Sequence, residues 1–216
     1  MPDDRLAYSL DFESDYDTKA GYSLAKMPTW MYCADERFNP YLVALCGWEI
    51  TDDGIWHDWE PGRVSTKFSE EGSMFRKLAD GRHLFVGRPE NFRDWGNLKD
   101  RLTLSHNNSF DKCAAYYAAK KGLMPMYIFE NEWACTADMS AYLMAPRNLK
   151  GACKELLGIE ISKEVRASLD GRHDWELTPD EYRALVEYGG SDAVECHDLW
   201  LKYSSEYPYM ERRGSQ

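Results

Sequence analysis

Apolar and polar positions change period along the chain, and glycine, proline and Asp-Gly breaks separate the segments. Residues 6–13 (LAYSLDFE) read as a strand that ends on acidic side chains. The stretch 14–40 holds Gly21, Pro28, Pro40 and several aromatics with no sustained period. Residues 41–50 (YLVALCGWEI) read as a second strand, and Asp53-Gly54 predicts a hairpin whose returning strand is IWHDW at 55–59. Ser69 is placed to cap a helix to about Ala79, with Gly81 as its stop. A short buried strand follows at 83–87, a helix at 90–100, a strand at 101–107 and a helix over 109–121 that ends at Gly122. Helices are predicted at 136–145 and 148–157, the second closed by Gly158. Thr178-Pro179-Asp180-Glu181 combines an N-cap threonine, a proline at the first helical position and a capping-box glutamate, opening a helix to about Lys202. Residues 204–216 read as a loose tail. Hairpin-linked strands followed by alternating helices and strands predict an α/β fold: a mixed sheet, three antiparallel strands and then parallel ones, flanked by helices.

A length of 216 residues suits a single domain over 1–216 with a core at about 6–203, and 44% hydrophobic with 14% aromatic residues supplies that core and argues against disorder. The formal net charge of -11 is the opposite of what coats duplex DNA non-specifically. Solubility accounts for most of it, yet an acidic chain can act on nucleic acid if its carboxylates hold divalent cations and it grips only a strand end. The six cysteines (Cys33, Cys46, Cys113, Cys135, Cys153, Cys196) form no Cys-x-x-Cys pair and sit in apolar stretches, which predicts buried reduced thiols and a cytoplasmic setting. The N-terminus lacks the pattern of a signal peptide, and no apolar run is long enough to span a bilayer, so no membrane partner is expected.

Three groups of residues suggest chemistry. Asp11 and Glu13 lie two apart on the first strand, so both point to one face. Two carboxylates against apolar neighbours are costly unless a cation lies between them, although strand ends often carry solvated acids. Asn107-Asn108-Ser109-Phe110-Asp111 links a strand to a helix and puts Asp111 in the first turn, where an acid also suits the helix dipole. Tyr188 and Asp192, four apart, share a face of the last helix. Gly189 and Gly190 between them would cost up to about 1 kcal/mol each relative to alanine. They mark a bend, a close approach of substrate, or a packing accommodation.

Asp-x-Glu on the first strand, Asn-x-x-Phe-Asp at a helix start and Tyr-x-x-x-Asp on the last helix, in that order, resemble the three exonuclease motifs of the DnaQ-like (DEDD) superfamily, and the tyrosine resembles its DEDDy branch. LDFES, MYCADERFNPYLVALCGWE and CTADMSAYLMAPRNLKGACKELLG resemble the proofreading exonuclease domain of phage-type family A DNA polymerases, over nearly all of 6–203. Ser14 departs from the threonine common after the glutamate but keeps a hydroxyl. No polymerase module follows, so the resemblance implies a stand-alone exonuclease, a subunit of a split polymerase, or an excised domain.

The resemblance implies a ribonuclease-H-like fold and a 3'→5' exonuclease that uses two divalent cations, Mg2+ or Mn2+. Asp11, Glu13 and Asp192 would hold the first ion, with Asp11 bridging to the second, and Asp111 would support the second. Tyr188 would orient the attacking water; with a free pKa near 10 it suits hydrogen bonding better than base catalysis. Phe12, Ser14, Asn107 and Phe110 are the candidate substrate contacts. The Phe12 ring either meets the terminal nucleotide or turns to the core, and Asn107 either binds substrate or caps its helix. Lys112, Lys120, Lys121, Lys150 and Lys154 read as solvated helix faces or phosphate contacts. His197 falls five residues after Asp192, off the position that the DEDDh branch uses. His106, beside the middle motif, either approaches substrate or serves as a strand-end residue, and His57, His83 and His173 show no metal-ligand spacing. Expected partners are single-stranded DNA or 3' DNA ends, RNA in an RNase D-like alternative, and a separate DNA polymerase. The remaining alternative is a non-catalytic module that binds a polymerase or a DNA end.

Overall fold

The first strand forms where the sequence alternates most cleanly. In a computed structural model, which describes residues 7–48, 50, 65–69, 72–161, 165 and 169–208, it is β1 (Ala7–Glu13). The other strands are β2 (Leu42–Gly47), β3 (Ser65–Phe68), β4 (Met74–Lys77), β5 (His83–Gly87), β6 (Leu102–Ser105) and β7 (Trp133–Cys135). Among the described residues they make one sheet in the order β3-β4-β5-β2-β1-β6-β7. β1 pairs antiparallel with β2 and parallel with β6, and β6 pairs parallel with β7. β2, β5, β4 and β3 continue antiparallel. This is the mixed, helix-flanked α/β sheet expected of a ribonuclease-H-like domain. The predicted third strand at 55–59 lies outside the described residues; among the described residues the neighbour of β2 on the side away from β1 is β5, also antiparallel.

Six α-helices accompany the sheet among the described residues: α1 (Thr29–Ala34), α2 (Asn108–Lys120), α3 (Tyr127–Glu130), α4 (Thr136–Tyr142), α5 (Leu149–Ala152) and α6 (Pro179–Tyr203). β1 separates two of them. Its residues Tyr8, Leu10 and Phe12 pack with Ala114, Ala115 and Ala118 of α2. Its odd-numbered residues face α6, where the Ser9 hydroxyl donates to the Ala193 carbonyl at 2.6 Å. α6 starts with the expected capping box, in which Thr178 Oγ1 accepts from the Glu181 amide and the Glu181 side chain returns to the Thr178 amide. α5 runs into a π-helical turn over Cys153–Leu157 that ends at Gly158 with φ 74°.

Two predicted helices are corrected. The described residues of 69–79 are not helical: Ser69 Oγ accepts from the Ser73 amide, Gly72 takes φ 82°, and the chain enters β4 at Met74. The Ser69 side chain therefore caps a turn. The residues after β4 make a second reversal, with the Leu78 amide bonded to the Arg82 carbonyl and Gly81 at φ 90°. Residues 90–100 form two short 3-10 turns, Pro89–Asn91 and Trp95–Leu98. The buried Phe92, Trp95 and Leu98 recur every third residue, the period at which side chains eclipse in a 3-10 helix. The tail also departs from expectation: Tyr207 is buried and its ring meets Tyr142 at 5.6 Å, so burial of that aromatic ties the chain down past the end of α6.

His197 on α6 is fully buried, with its ring edge-on to Trp48 at 5.6 Å, and neither ring nitrogen has a hydrogen-bond partner. Burial, with the Arg82 charge nearby, pushes its pKa down from 6.5 to about 3. The folded state thus refuses a proton that the unfolded chain accepts below pH 6.5, so this contribution to stability is present above that pH and shrinks as pH falls toward 3. The loss is about 1.4 kcal/mol per pH unit. Urea unfolding at pH 6.5 and pH 5.0 should show the wild type losing about 2 kcal/mol more than His197→Leu over that interval; parallel pH profiles would remove His197 as the cause.

Candidate metal centre and cleft

The site is assembled at the end of β1, between α6 on one side of the sheet and the start of α2 on the other. Strand alternation turns Asp11 and Glu13 toward α6, opposite Ala44 and Leu42 of β2 in register. α6 reaches them because Gly189 and Gly190 have no side chain. A Cβ on Gly189 would lie 2.9 Å from Leu42 Cδ2 and 3.9 Å from Glu13 Cγ, and one on Gly190 would lie 3.1 Å from both Leu84 and Val86. The glycine pair is thus a packing accommodation between helix and sheet, and it brings Asp192, one turn on, to the strand carboxylates.

Asp11, Glu13 and Asp192 each present a carboxylate oxygen, and these atoms lie within 4.8 Å of one another. Glu13 is 4% exposed and Asp192 is 8% exposed, so solvent does little to screen them. Asp111 comes from the other side of β1. The Phe12 amide donates to its Oδ1 at 3.2 Å, and Ser105 and the Asn107 backbone also bond to it. Burial pushes the Asp111 pKa up, and the nearby Glu13 charge adds to the rise. Cys196, one turn after Asp192, is a buried thiol held protonated by burial and by the charges of both Asp11 and Asp111. Asp111 therefore belongs to the same electrostatic cluster, although its oxygens fall outside the tight trio.

These acids line an open cleft of about 310 Å³ together with Phe12, Asn107 and Phe110. The Phe12 ring packs in the core on the α2 side, while its amide holds Asp111. Asn107 precedes α2 without a side-chain cap bond; its Oδ1 accepts from the Ser109 hydroxyl. Two predicted residues lie off the cleft lining. The Ser14 hydroxyl is paired with that of Tyr32 at 2.9 Å, and Tyr188 packs among Tyr41, Leu42 and Leu185. His106 also lines the cleft, with its ring nitrogens on the Thr136 hydroxyl and the Arg147 carbonyl, so it sits both at the strand end and beside the acids.

The sequence reading missed Leu24, Arg147 and Asn148, which also line the cleft. Asn148 carried a usable signal, since it caps α5 by accepting from the Gly151 amide at 2.8 Å. That cap fixes Arg147, which pairs with Asp138, at the cleft edge. None of the five lysines singled out in the sequence lines the cleft. Lys112 and Lys120 lie over the Phe129 and Tyr116 rings, Lys121 bonds the Phe38 carbonyl, and Lys154 pairs with Glu160.

All six cysteines are free, as expected, and no helix among the described residues is long and apolar enough to cross a membrane. No family model matches the chain, and no curated protein matches it. Among solved structures, one described as Brucella melitensis NrnC with bound Mg2+ is similar over 97% of this chain and 76% of that chain, at 17% identity and a TM-score of 0.49.

The oxygen-only donor trio fits a hard divalent cation such as Mg2+ or Mn2+ better than zinc. Without a cation the three carboxylates repel one another. Asp192→Asn should therefore raise the melting temperature in EDTA and abolish the rise that Mg2+ or Mn2+ produces in the wild type. At 100 times Kd that rise corresponds to about 2.7 kcal/mol, and each kcal/mol is worth about 2–4 °C in a chain of this size. A wild-type melting curve unchanged at millimolar cation, read by calorimetry, would contradict a metal centre here.

Proposed function

We propose that the protein is a DEDD-type 3'→5' exonuclease that hydrolyses the terminal phosphodiester of a DNA single strand or frayed 3' end and releases nucleoside 5'-monophosphates. The observation that carries this reading is the gathering of Asp11, Glu13 and Asp192, from two distant elements, into one carboxylate trio within 4.8 Å, beside Asp111 and at the mouth of a cleft. Such a cluster of buried acids is expensive to keep unless it holds a cation.

In this reading Asp11, Glu13 and Asp192 hold divalent cations, with Asp111 in support. Bound there, two such ions would polarise the scissile phosphate and lower the pKa of an attacking water. The protein's own groups do the rest. Phe110 and Leu24 give the terminal nucleotide an apolar seat, the Asn107 amide lies at the same cleft, and Arg147 offers positive charge to a phosphate at the rim. Tyr188, one turn before Asp192 on α6, is assigned in this reading to orienting the water through its hydroxyl. A net charge of -11 limits the grip to a short strand end. Proofreading beside a separate polymerase is the biological setting that the family resemblance suggests.

A 5'-labelled DNA strand incubated with the protein and Mg2+ should yield a ladder shortening from the 3' end, abolished by EDTA and by Asp11→Ala. A matched RNA strand run beside it identifies the substrate: faster RNA cleavage would make the protein an exoribonuclease. Tyr188→Phe should slow single-turnover cleavage by about 100–1000-fold, the range expected for loss of one positioned hydrogen-bond donor, and leave calorimetric metal affinity near wild type. Equal loss of rate and metal affinity would contradict the role given to Tyr188, and cleavage that survives both EDTA and Asp11→Ala would overturn the assignment.

A further inference from the structure

A second pocket, of about 160 Å³, is lined by neighbours in sequence of residues that line the metal cleft. Glu13 and Leu24 line the cleft, whereas Asp15 and Tyr22 line the pocket. Two residues of extended chain span about 7 Å, so the two cavities are neighbours along one backbone.

The pocket is built from rigid, flat and polar parts. Asp15 is 5% exposed; its Oδ2 is bonded to His173 Nδ1 at 2.7 Å and to the Asn39 amide at 3.2 Å, while Oδ1 has no hydrogen-bond partner. A buried carboxylate oxygen without a donor is costly, so the site favours an occupant that supplies one. The His173 ring is stacked on Trp175 at 4.1 Å and 12°, and Trp175 is 67% exposed. The Arg37 guanidinium lies flat over the Tyr22 ring at 4.4 Å and is itself held by Asp35. The walls are pinned together, with the Gly171 amide on the Tyr16 carbonyl at 2.9 Å and the Thr18 amide on Asp170 at 2.8 Å. The volume equals about five waters, enough for one planar ring system and too little for a whole nucleotide.

We propose that this pocket receives a single nucleobase bearing an exocyclic amine, which stacks on the flat side chains and donates an N–H to Asp15 Oδ1. Aromatic and guanidinium faces accept any base, whereas a carboxylate acceptor selects an amino group. Adenine, cytosine and guanine carry that group; uracil offers only its N3–H, flanked by two carbonyl oxygens that the carboxylate repels. The base comes either from a free nucleotide or from a strand whose 3' end occupies the cleft, and the second source alone rests on the nuclease reading.

Calorimetric titration with AMP, CMP, GMP and UMP in EDTA tests the pocket apart from catalysis. Saturable binding is expected for the first three, with UMP at least tenfold weaker. Ala20, exposed at the pocket rim, can be enlarged without disturbing the core, and Ala20→Phe should abolish the binding. A strand base as occupant is indicated if Ala20→Phe also raises KM for longer oligonucleotides with no change for a dinucleotide; unchanged KM for both indicates a free nucleotide. Absence of saturable binding at millimolar nucleotide, binding indifferent to Ala20→Phe, or equal affinity for UMP would each overturn the proposal. A protein that cleaves nothing still gives a readable result in the metal-free titration.

Discussion

Mutual repulsion among carboxylates crowded at the end of β1 is the constraint around which this fold is organised. Asp11, Glu13 and Asp192 sit within 4.8 Å of one another, two of them almost fully buried, and Asp111 adds a fourth carboxyl group from the opposite side of the strand, its pKa pushed up by burial and by the Glu13 charge. Like charges at such range disfavour ionisation by amounts that exceed the worth of any single hydrogen bond. The structure nonetheless enforces the arrangement. Parallel pairing of β6 with β1 sets the start of α2 beside the strand end, where the Phe12 amide holds Asp111. Loss of two side chains at Gly189 and Gly190 lets α6 press against Leu42, Leu84 and Val86. Both arrangements cost stability locally, and a bound cation is what would return it.

The chemistry-bearing elements were the legible ones, because each combined a local signal with a fixed geometry. Alternation in LAYSLDFE set the facing of Asp11 and Glu13, and the Thr178–Glu181 capping box fixed the start of α6 and so the shared face of Tyr188 and Asp192. The segment after Ser69 is ambiguous for a physical reason. Asp-Gly at 53–54 predicts a hairpin and Gly81 of the same dipeptide at 80–81 also fits a helix stop, yet Gly81 closes a reversal between β4 and β5. Serine is equally ambiguous, since its hydroxyl serves helix N-caps and tight turns alike. The role of the glycine pair could not be chosen from sequence, because it depends on Leu42 and Leu84 about 100 residues or more away along the chain. Arg147 escaped notice because its place is set by the cap at Asn148 and by Asp138.

In the proposed exonuclease reading, charge is partitioned along the path of the strand. The lysines that seemed available for phosphates are mostly occupied by aromatic rings, a backbone carbonyl or a glutamate, and the cleft rim carries Arg147 instead. An acidic surface with a local acidic cluster repels an extended strand, so productive contact is confined to the place where cations and a few apolar side chains meet. The proposed base pocket at Asp15 and His173 would extend that surface by one planar binding position. In the same reading, short reach and few contacts suit an enzyme that works at an end.

The most direct test is a crystal structure of the protein soaked in Mn2+, with data collected for anomalous scattering. The account predicts an anomalous peak among the Asp11, Glu13 and Asp192 carboxylates at oxygen-ligand distances, with a second peak on the Asp111 side of Asp11. No peak at that cluster in a crystal that binds Mn2+ elsewhere, or carboxylates turned away from one another, would contradict it.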